Sequence, residues 1–172
     1  MSRARGTLTI RRGTARDVRV VFDLVRGLAR YERLTHEMRA TAAALRRHGF
    51  GRRPYFHTLI CRRQGRPVGL ALYFFTYSTF AGRPTLYLED LFVLPEARGQ
   101  GAGRALLAAV ARIALQRGCG RMEWAVLHWN TPAIRFYRRL GAGLRRDWVL
   151  TRLTGPALRR LAAPARRAPG RD

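Results

Sequence analysis

Lysine is absent from this 172-residue chain; all 34 of its basic residues are arginine. Acids are few, 10 in total, which leaves a formal net charge of +24 with histidine neutral. The arginines are spread along the chain and not gathered in one block. The charge therefore reads as an arginine-biased solvated surface, not as a dedicated nucleic-acid or membrane face. Such a surface favours anionic ligands, phosphate among them. Cysteine is scarce too. Cys61 and Cys119 stand far apart, which excludes a disulfide framework and points to free, buried thiols in a reducing cytoplasm. The four histidines (His36, His48, His57, His128) make no zinc-ligand pattern with them, so no metal is expected. No run approaches the ~18 apolar residues of a membrane span. The opening Met1-Ser2-Arg3-Ala4-Arg5-Gly6 has no apolar segment behind it and is not expected to be a secretory signal.

What is present suits one folded domain. Apolar residues make up 47% and aromatics 10%, enough for a sizeable core and too much for a disordered chain. Strands are predicted over residues 7–12, 57–63, 68–77, 86–93, 122–127 and 145–153. Helices are predicted from Thr14 to about Arg30, and over residues 41–47, 104–117 and 131–140. Thr14 with Asp17 three residues on gives the first helix a capping-box start. Its face is drawn by Val18, Val21, Phe22, Val25 and Leu28. The order is α/β: a mixed, mostly antiparallel sheet of about six to seven strands with helices on both faces. We expect a single domain over residues 1–162 and a frayed basic tail over residues 163–172.

Arg98-Gly99-Gln100-Gly101-Ala102-Gly103 joins a strand to a helix. Glycines at alternate positions let a ligand approach the backbone, and exposed N–H groups at a helix start form an anion site. The lysine that ends a P-loop is missing, since Arg104 and Ala105 follow. The dinucleotide-fold spacing is missing as well. A tight strand-to-helix turn with no ligand remains the alternative reading.

Arg98-x-x-Gly101-x-Gly103, preceded by Leu91-Phe92-Val93-Leu94-Pro95, resembles the acetyl-coenzyme A signature of the GNAT N-acetyltransferases. The resemblance narrows to the branch of diamine (spermidine/spermine) and thialysine acetyltransferases. It is carried by Leu28-Ala29-Arg30-Tyr31-Glu32, His48-Gly49-Phe50-Gly51-Arg52-Arg53-Pro54, Tyr73–Phe80, Leu86-Tyr87-Leu88-Glu89-Asp90, Trp129-Asn130 and Phe136-Tyr137. It implies the GNAT fold, acetyl-coenzyme A as co-substrate without a metal, a homodimer, and direct transfer to a small amine in a ternary complex. By the same resemblance Leu91, Phe92, Val93, Arg98, Gly99, Gln100, Gly101, Ala102, Gly103, Arg104, Asn130, Pro132 and Ala133 hold the coenzyme. Tyr31, Glu32 and Glu89 bind the amine.

The chemistry asks for a base, because an alkylammonium near pKa ~10.4 must lose a proton before it attacks. Glu89 is the candidate base, a carboxylate in the middle of an apolar strand; pairing with an arginine is its other reading. Asp90 is expected on the opposite face by strand alternation, as a structural residue. Tyr137 is the candidate acid, a phenol suited to protonating the leaving thiolate. Asn130 suits both a coenzyme contact and an N-cap. Cys119, between two glycines with no histidine near it in sequence, is not expected to be a nucleophile.

Among the acids, Glu32, Glu37 and Glu89 stand out against the arginine background. The diamine enzymes carry an acid after Phe-Thr-Tyr where this chain has Ser78-Thr79-Phe80, as the thialysine branch does. A lysine-like amino acid or a short amine is therefore expected over spermine. The alternatives are a family member acting on a protein or another amine, and a basic nucleic-acid-binding protein.

Overall fold

A computed structural model describes residues 6–163. The chain divides after Ala125 into two compact units. The first holds a five-stranded sheet in the order β1 to β5. β1 (Leu8–Arg12), β2 (His57–Arg63), β3 (Arg66–Ser78) and β4 (Arg83–Val93) run antiparallel in sequence, and β5 (Arg121–Glu123) lies parallel to β4. The helices are α1 (Val18–Tyr31), α2 (Ala42–Phe50) and α3 (Ala102–Gln116).

The local signals act as the sequence implies. The Asp17 carboxylate accepts from the Thr14 N–H at 2.9 Å and closes the entry to α1. The Thr41 hydroxyl accepts from the Ala44 N–H and caps α2, which continues past Gly49 to Phe50. Gln64 and Gly65 both take positive φ and turn β2 tightly into β3.

Strand alternation then sorts the core. Val21 and Leu24 of α1 and Leu45 of α2 pack against Ile60, Leu70 and Phe92 on one side of the sheet. A Cβ added at Gly69, next to Leu70, would instead meet Leu106 of α3, so α3 covers the other side. Each fully buried Leu, Ile or Val here contributes roughly 1.5–3 kcal/mol.

The sheet has five strands, fewer than the six to seven expected. Residues 122–127 pair only as far as Glu123. Residues 145–153 form no strand at all. Their β-favouring side chains have no neighbouring strand to bond among the described residues, and Trp148, Val149 and Leu150 stand 74%, 84% and 79% exposed. Propensity without a partner makes no ladder. The second unit holds α4 (Thr131–Arg139) and α5 (Gly155–Ala162). α5 starts at Gly155-Pro156, with proline in its first turn, and the sequence reading missed it. The expected tail lies outside the described residues from 164 onward.

Candidate active site

β4 carries the most informative irregularity of the first unit. Leu72 pairs with Asp90, but the next residue, Tyr73, pairs with Leu88. Glu89 is therefore the extra residue of a β-bulge. Leu70 and Phe92, two residues from Leu72 and Asp90, both face the α1 cluster. Asp90 consequently sits on the α1 side of the sheet. Alternation fails across a bulge, so the expected opposition of Asp90 and Glu89 does not follow from their spacing.

The bulge gathers acid. Glu89 is exposed, not buried as the strand position implied, and Asp90 is half-buried. Among the described residues neither makes an ion pair or a side-chain hydrogen bond. Glu32, at the end of α1, is half-buried, and that burial raises its pKa. Asp90 is pushed up to about 7, first by its burial and then by the charges of Glu89 and Glu32. The described residues contain no group of three ligands able to hold a metal ion. Glu37 stands apart on the surface beside His36, 3.8 Å away.

Among the described residues no strand lies beside β4 beyond Tyr87 on the β5 side, because β5 pairs only with Thr85–Tyr87. The backbone groups of Leu91, Phe92 and Val93 on that edge are left without a ladder. The chain then turns into α3 through the glycine segment. Gly99 and Gly101 both have positive φ, 71° and 89°, and a Cβ at either would point into open space. An L side chain would strain that backbone. Arg98, Gly99, Gln100, Gly101 and Arg104 are exposed, Gly103 half-exposed and Ala102 buried. The loop thus presents backbone N–H groups to solvent at the positive end of a 15-residue helix.

Two contacts fix this loop, and sequence reasoning found neither. Arg63, on β2, donates through Nη1 to the Gln100 side-chain carbonyl and through Nη2 to the Gln100 backbone carbonyl at 3.1 Å. Arg98 donates from Nε to the Val93 carbonyl at 3.0 Å and lays its guanidinium 4.3 Å over the Tyr31 ring. Residues expected to bind the coenzyme and the amine are thereby in direct contact.

In the second unit, Asn130 is buried and caps α4, its side chain accepting from the Ala133 N–H at 3.3 Å. Pro132 stands in the first turn of α4. Tyr137 is buried, with its ring 5.3 Å from that of Phe136. Elsewhere, burial pushes the Cys119 thiol up, against any role as a thiolate. The Ser78 hydroxyl accepts from the Ala81 N–H and closes the β3–β4 turn. Of the Tyr73–Phe80 run, Tyr73 lies wholly inside while Tyr77 and Phe80 are exposed.

The acetyltransferase (GNAT) family model matches residues 19–142, a span that includes β4, the glycine loop and α4. The chain belongs to the GNAT acetyltransferase family. It is 39% identical over 164 residues to thialysine N-epsilon-acetyltransferase of Mus musculus, across 89% of this chain and 96% of that protein. It is 30% identical to L-ornithine N5-acetyltransferase of Arabidopsis thaliana, across 87% of this chain and 85% of that one. An integron cassette protein from the mobile metagenome of V. cholerae has the same fold. It superposes with a TM-score of 0.76 at 26% identity, over 91% of this chain and 98% of the other. As a GNAT enzyme the chain is an acyltransferase.

Proposed function

We propose that this GNAT enzyme moves the acetyl group of acetyl-coenzyme A to the terminal amine of a small cationic amino acid of the lysine, thialysine or ornithine kind, by direct attack in a ternary complex. One observation carries the reading: Arg98, from the glycine loop, lies over the ring of Tyr31, next in sequence to Glu32, and Glu32, Glu89 and Asp90 have no arginine partner among the described residues. The relatives that act on thialysine and ornithine support an amino-acid acceptor, whose α-carboxylate an arginine-rich site accommodates. No carboxylate follows Tyr77, which favours one ammonium over the several of a long polyamine.

In this reading residues 1–162 form one acetyltransferase domain, since the family match runs through both units. The N–H groups of residues 99–104 receive the pyrophosphate, and the free edge of Leu91–Val93 receives the pantetheine arm; by the family resemblance Asn130, Pro132 and Ala133 are coenzyme residues too. A backbone donor near Phe92 or Val93 polarises the thioester carbonyl. Tyr31, Glu32 and Glu89 draw the ammonium, and Glu89 accepts its proton. Tyr137 protonates the departing thiolate. Tyr137→Phe should leave coenzyme affinity intact and slow turnover ~10²–10⁴-fold.

The acyl acceptor is tested by thiol release from acetyl-coenzyme A against lysine, thialysine, ornithine, putrescine, spermidine and a lysine-containing peptide. Highest kcat/KM on the amino acids is expected. Highest kcat/KM on spermidine or the peptide overturns the acceptor class, and release with none of them overturns the reading itself. We place the enzyme in the cytoplasm on its two free thiols. We take it to be a homodimer, which light scattering at micromolar concentration decides.

A further inference from the structure

We propose that Arg63 is a positioning residue for acetyl-coenzyme A: by holding the Gln100 carbonyl it aims the Gly101 N–H at the incoming pyrophosphate. The inference rests on the reading above and deepens it by naming what sets the coenzyme loop.

Strand alternation sends the two arginines that end β2 to opposite faces of the sheet. Arg62 reaches Asp17 at the entry to α1. Cys61 pairs with Gly69, where an added Cβ would meet Leu106 of α3. Arg63, two residues on, shares that face and meets the segment that leads into α3. Its Nη1 donates to the Gln100 side-chain carbonyl, and its Nη2 to the Gln100 backbone carbonyl at 3.1 Å. The Gln100 amide in turn donates to the Glu96 carbonyl at 3.1 Å. The Arg63 Nε is buried, so packing as well as bonding holds the guanidinium in place.

What the guanidinium grips decides which way the next N–H points. The peptide joining Gln100 to Gly101 is trans, so its C=O and N–H point in opposite directions. With the carbonyl turned toward β2, the Gly101 N–H is turned away from it, and it has no backbone acceptor among the described residues. Gly101 has φ 89° and ψ −10°, the values of the third residue of a type II turn. Turning that one peptide over gives the type I turn, with φ about −90° at the same residue. Glycine accepts either sign of φ. The glycine that opens the loop to a ligand therefore leaves the direction of its own N–H unsettled, and Arg63 settles it. A peptide turned over would present a carbonyl oxygen to the phosphate in place of an N–H, a repulsion in place of an attraction.

The test compares the intact chain with Arg63→Met, Arg63→Lys, Gln100→Met and the Arg63→Met/Gln100→Met double variant. Calorimetry measures affinity for coenzyme A and for 3′-dephospho-coenzyme A, and steady-state kinetics on the best acceptor are run alongside. Arg63→Met should weaken both ligands by the same factor, roughly 10–100-fold, because the pyrophosphate is common to them. KM for acetyl-coenzyme A should rise by that factor while kcat and the KM of the amine are nearly held. Gln100→Met loses one of the two bonds and should cost less. Adding it to Arg63→Met should cost little more, since the guanidinium that it served is already gone. Arg63→Lys keeps the charge without the planar pair of donors and should weaken both ligands too. A loss confined to coenzyme A overturns the proposal, since Arg63 is then a contact for the 3′-phosphate. Losses that add in the double variant, or full affinity in Arg63→Lys, overturn it in favour of a plain charge near the loop. Lower thermal stability with unchanged affinity overturns it in favour of a structural role. Should Arg63→Met fail to fold, Arg63→Lys decides. An intact chain that binds neither ligand overturns the underlying reading instead.

Discussion

The two ends of α1 treat acidic side chains in opposite ways. At its start Asp17 is buried and saturated. Arg11 reaches both carboxylate oxygens, at 2.8 and 2.6 Å, the Thr14 N–H and hydroxyl reach one of them, and Arg62 lies at 3.5 Å. At its end Glu32 faces the Glu89–Asp90 bulge, and none of the three has an arginine partner among the described residues. In a chain with more than three arginines per acid, chance pairing should have neutralised both ends. In the proposed reading the difference separates an acid that holds the fold from acids held for a ligand. The first has its pKa driven far down by Arg11; Asp90 has its pKa driven up by burial and by its own kind.

Breaking the first end should cost the most stability. Asp17→Asn removes the charge that Arg11 and Arg62 converge on and turns an amide donor toward a guanidinium. We expect a loss of about 2–4 kcal/mol. That is below the full cost of a broken buried pair, because Arg11 remains about half exposed (47%) and rehydrates. Urea unfolding at pH 7 measures it, and coenzyme affinity of the folded variant should be untouched. A loss within error would mean that the capped entry to α1 is held by packing alone.

The pH dependence of stability should differ in sign between the two ends. Asp17 is depressed in the fold, so its contribution is present above the ordinary carboxylate pKa and is lost as acid titrates the folded group. Asp90 is raised, so its contribution is full below the ordinary aspartate pKa and is lost as the pH climbs through about 7. Asp90→Asn should therefore equal the parent in acid and exceed it above pH 7, by about 1–3 kcal/mol after allowance for solvent screening. Unfolding midpoints at pH 4, 6 and 8 decide. A variant no more stable than its parent at pH 8 would show that Asp90 is not held under repulsion.

Much of this contrast could be read from the residues, and the reason for the remainder is physical. The glycine turn was legible because positive φ at 99 and 101 all but demands glycine. Thr14–Asp17 was legible because a cap is a local bond at fixed spacing. The bulge at Glu89 was missed because Leu88-Glu89-Asp90-Leu91 carries no glycine or proline to mark it. The bulge exists only in the register against β3. Arg63 on Gln100 and Arg98 on Tyr31 were invisible for a similar cause: each joins residues far apart in sequence that the sheet and α1 bring together. Residues 145–153 misled in the other direction, since their strand propensity was real and no partner strand lies beside them among the described residues.

The acid end can be sharpened by neutralising its less exposed contributor to cation binding. Glu32→Gln keeps size and hydrogen-bonding capacity while removing one charge from the proposed acceptor site. An exposed-to-half-buried charge contact amounts to about 1 kcal/mol, so KM for the amine should rise roughly 5–10-fold with kcat nearly held. A KM that does not move would put Glu32 outside the acceptor site and leave Glu89 as the contact for the ammonium.

The smallest effect tests the bridge between the two proposed sites. Arg98→Lys keeps a positive charge for the phosphates but loses the planar guanidinium over Tyr31 and the Nε bond to the Val93 carbonyl. A stacked cation of this kind is worth about 0.5–1 kcal/mol. If Arg98 serves mainly to set the Tyr31 ring against the acid end, the variant should bind acetyl-coenzyme A nearly as well as its parent while KM for the amine rises about 2–5-fold. If it serves only the coenzyme, affinity for acetyl-coenzyme A should fall and KM for the amine should stand. Measuring both constants on one variant separates the two, because a change in phosphate contact alone has no reason to reach an amine bound beside Glu32.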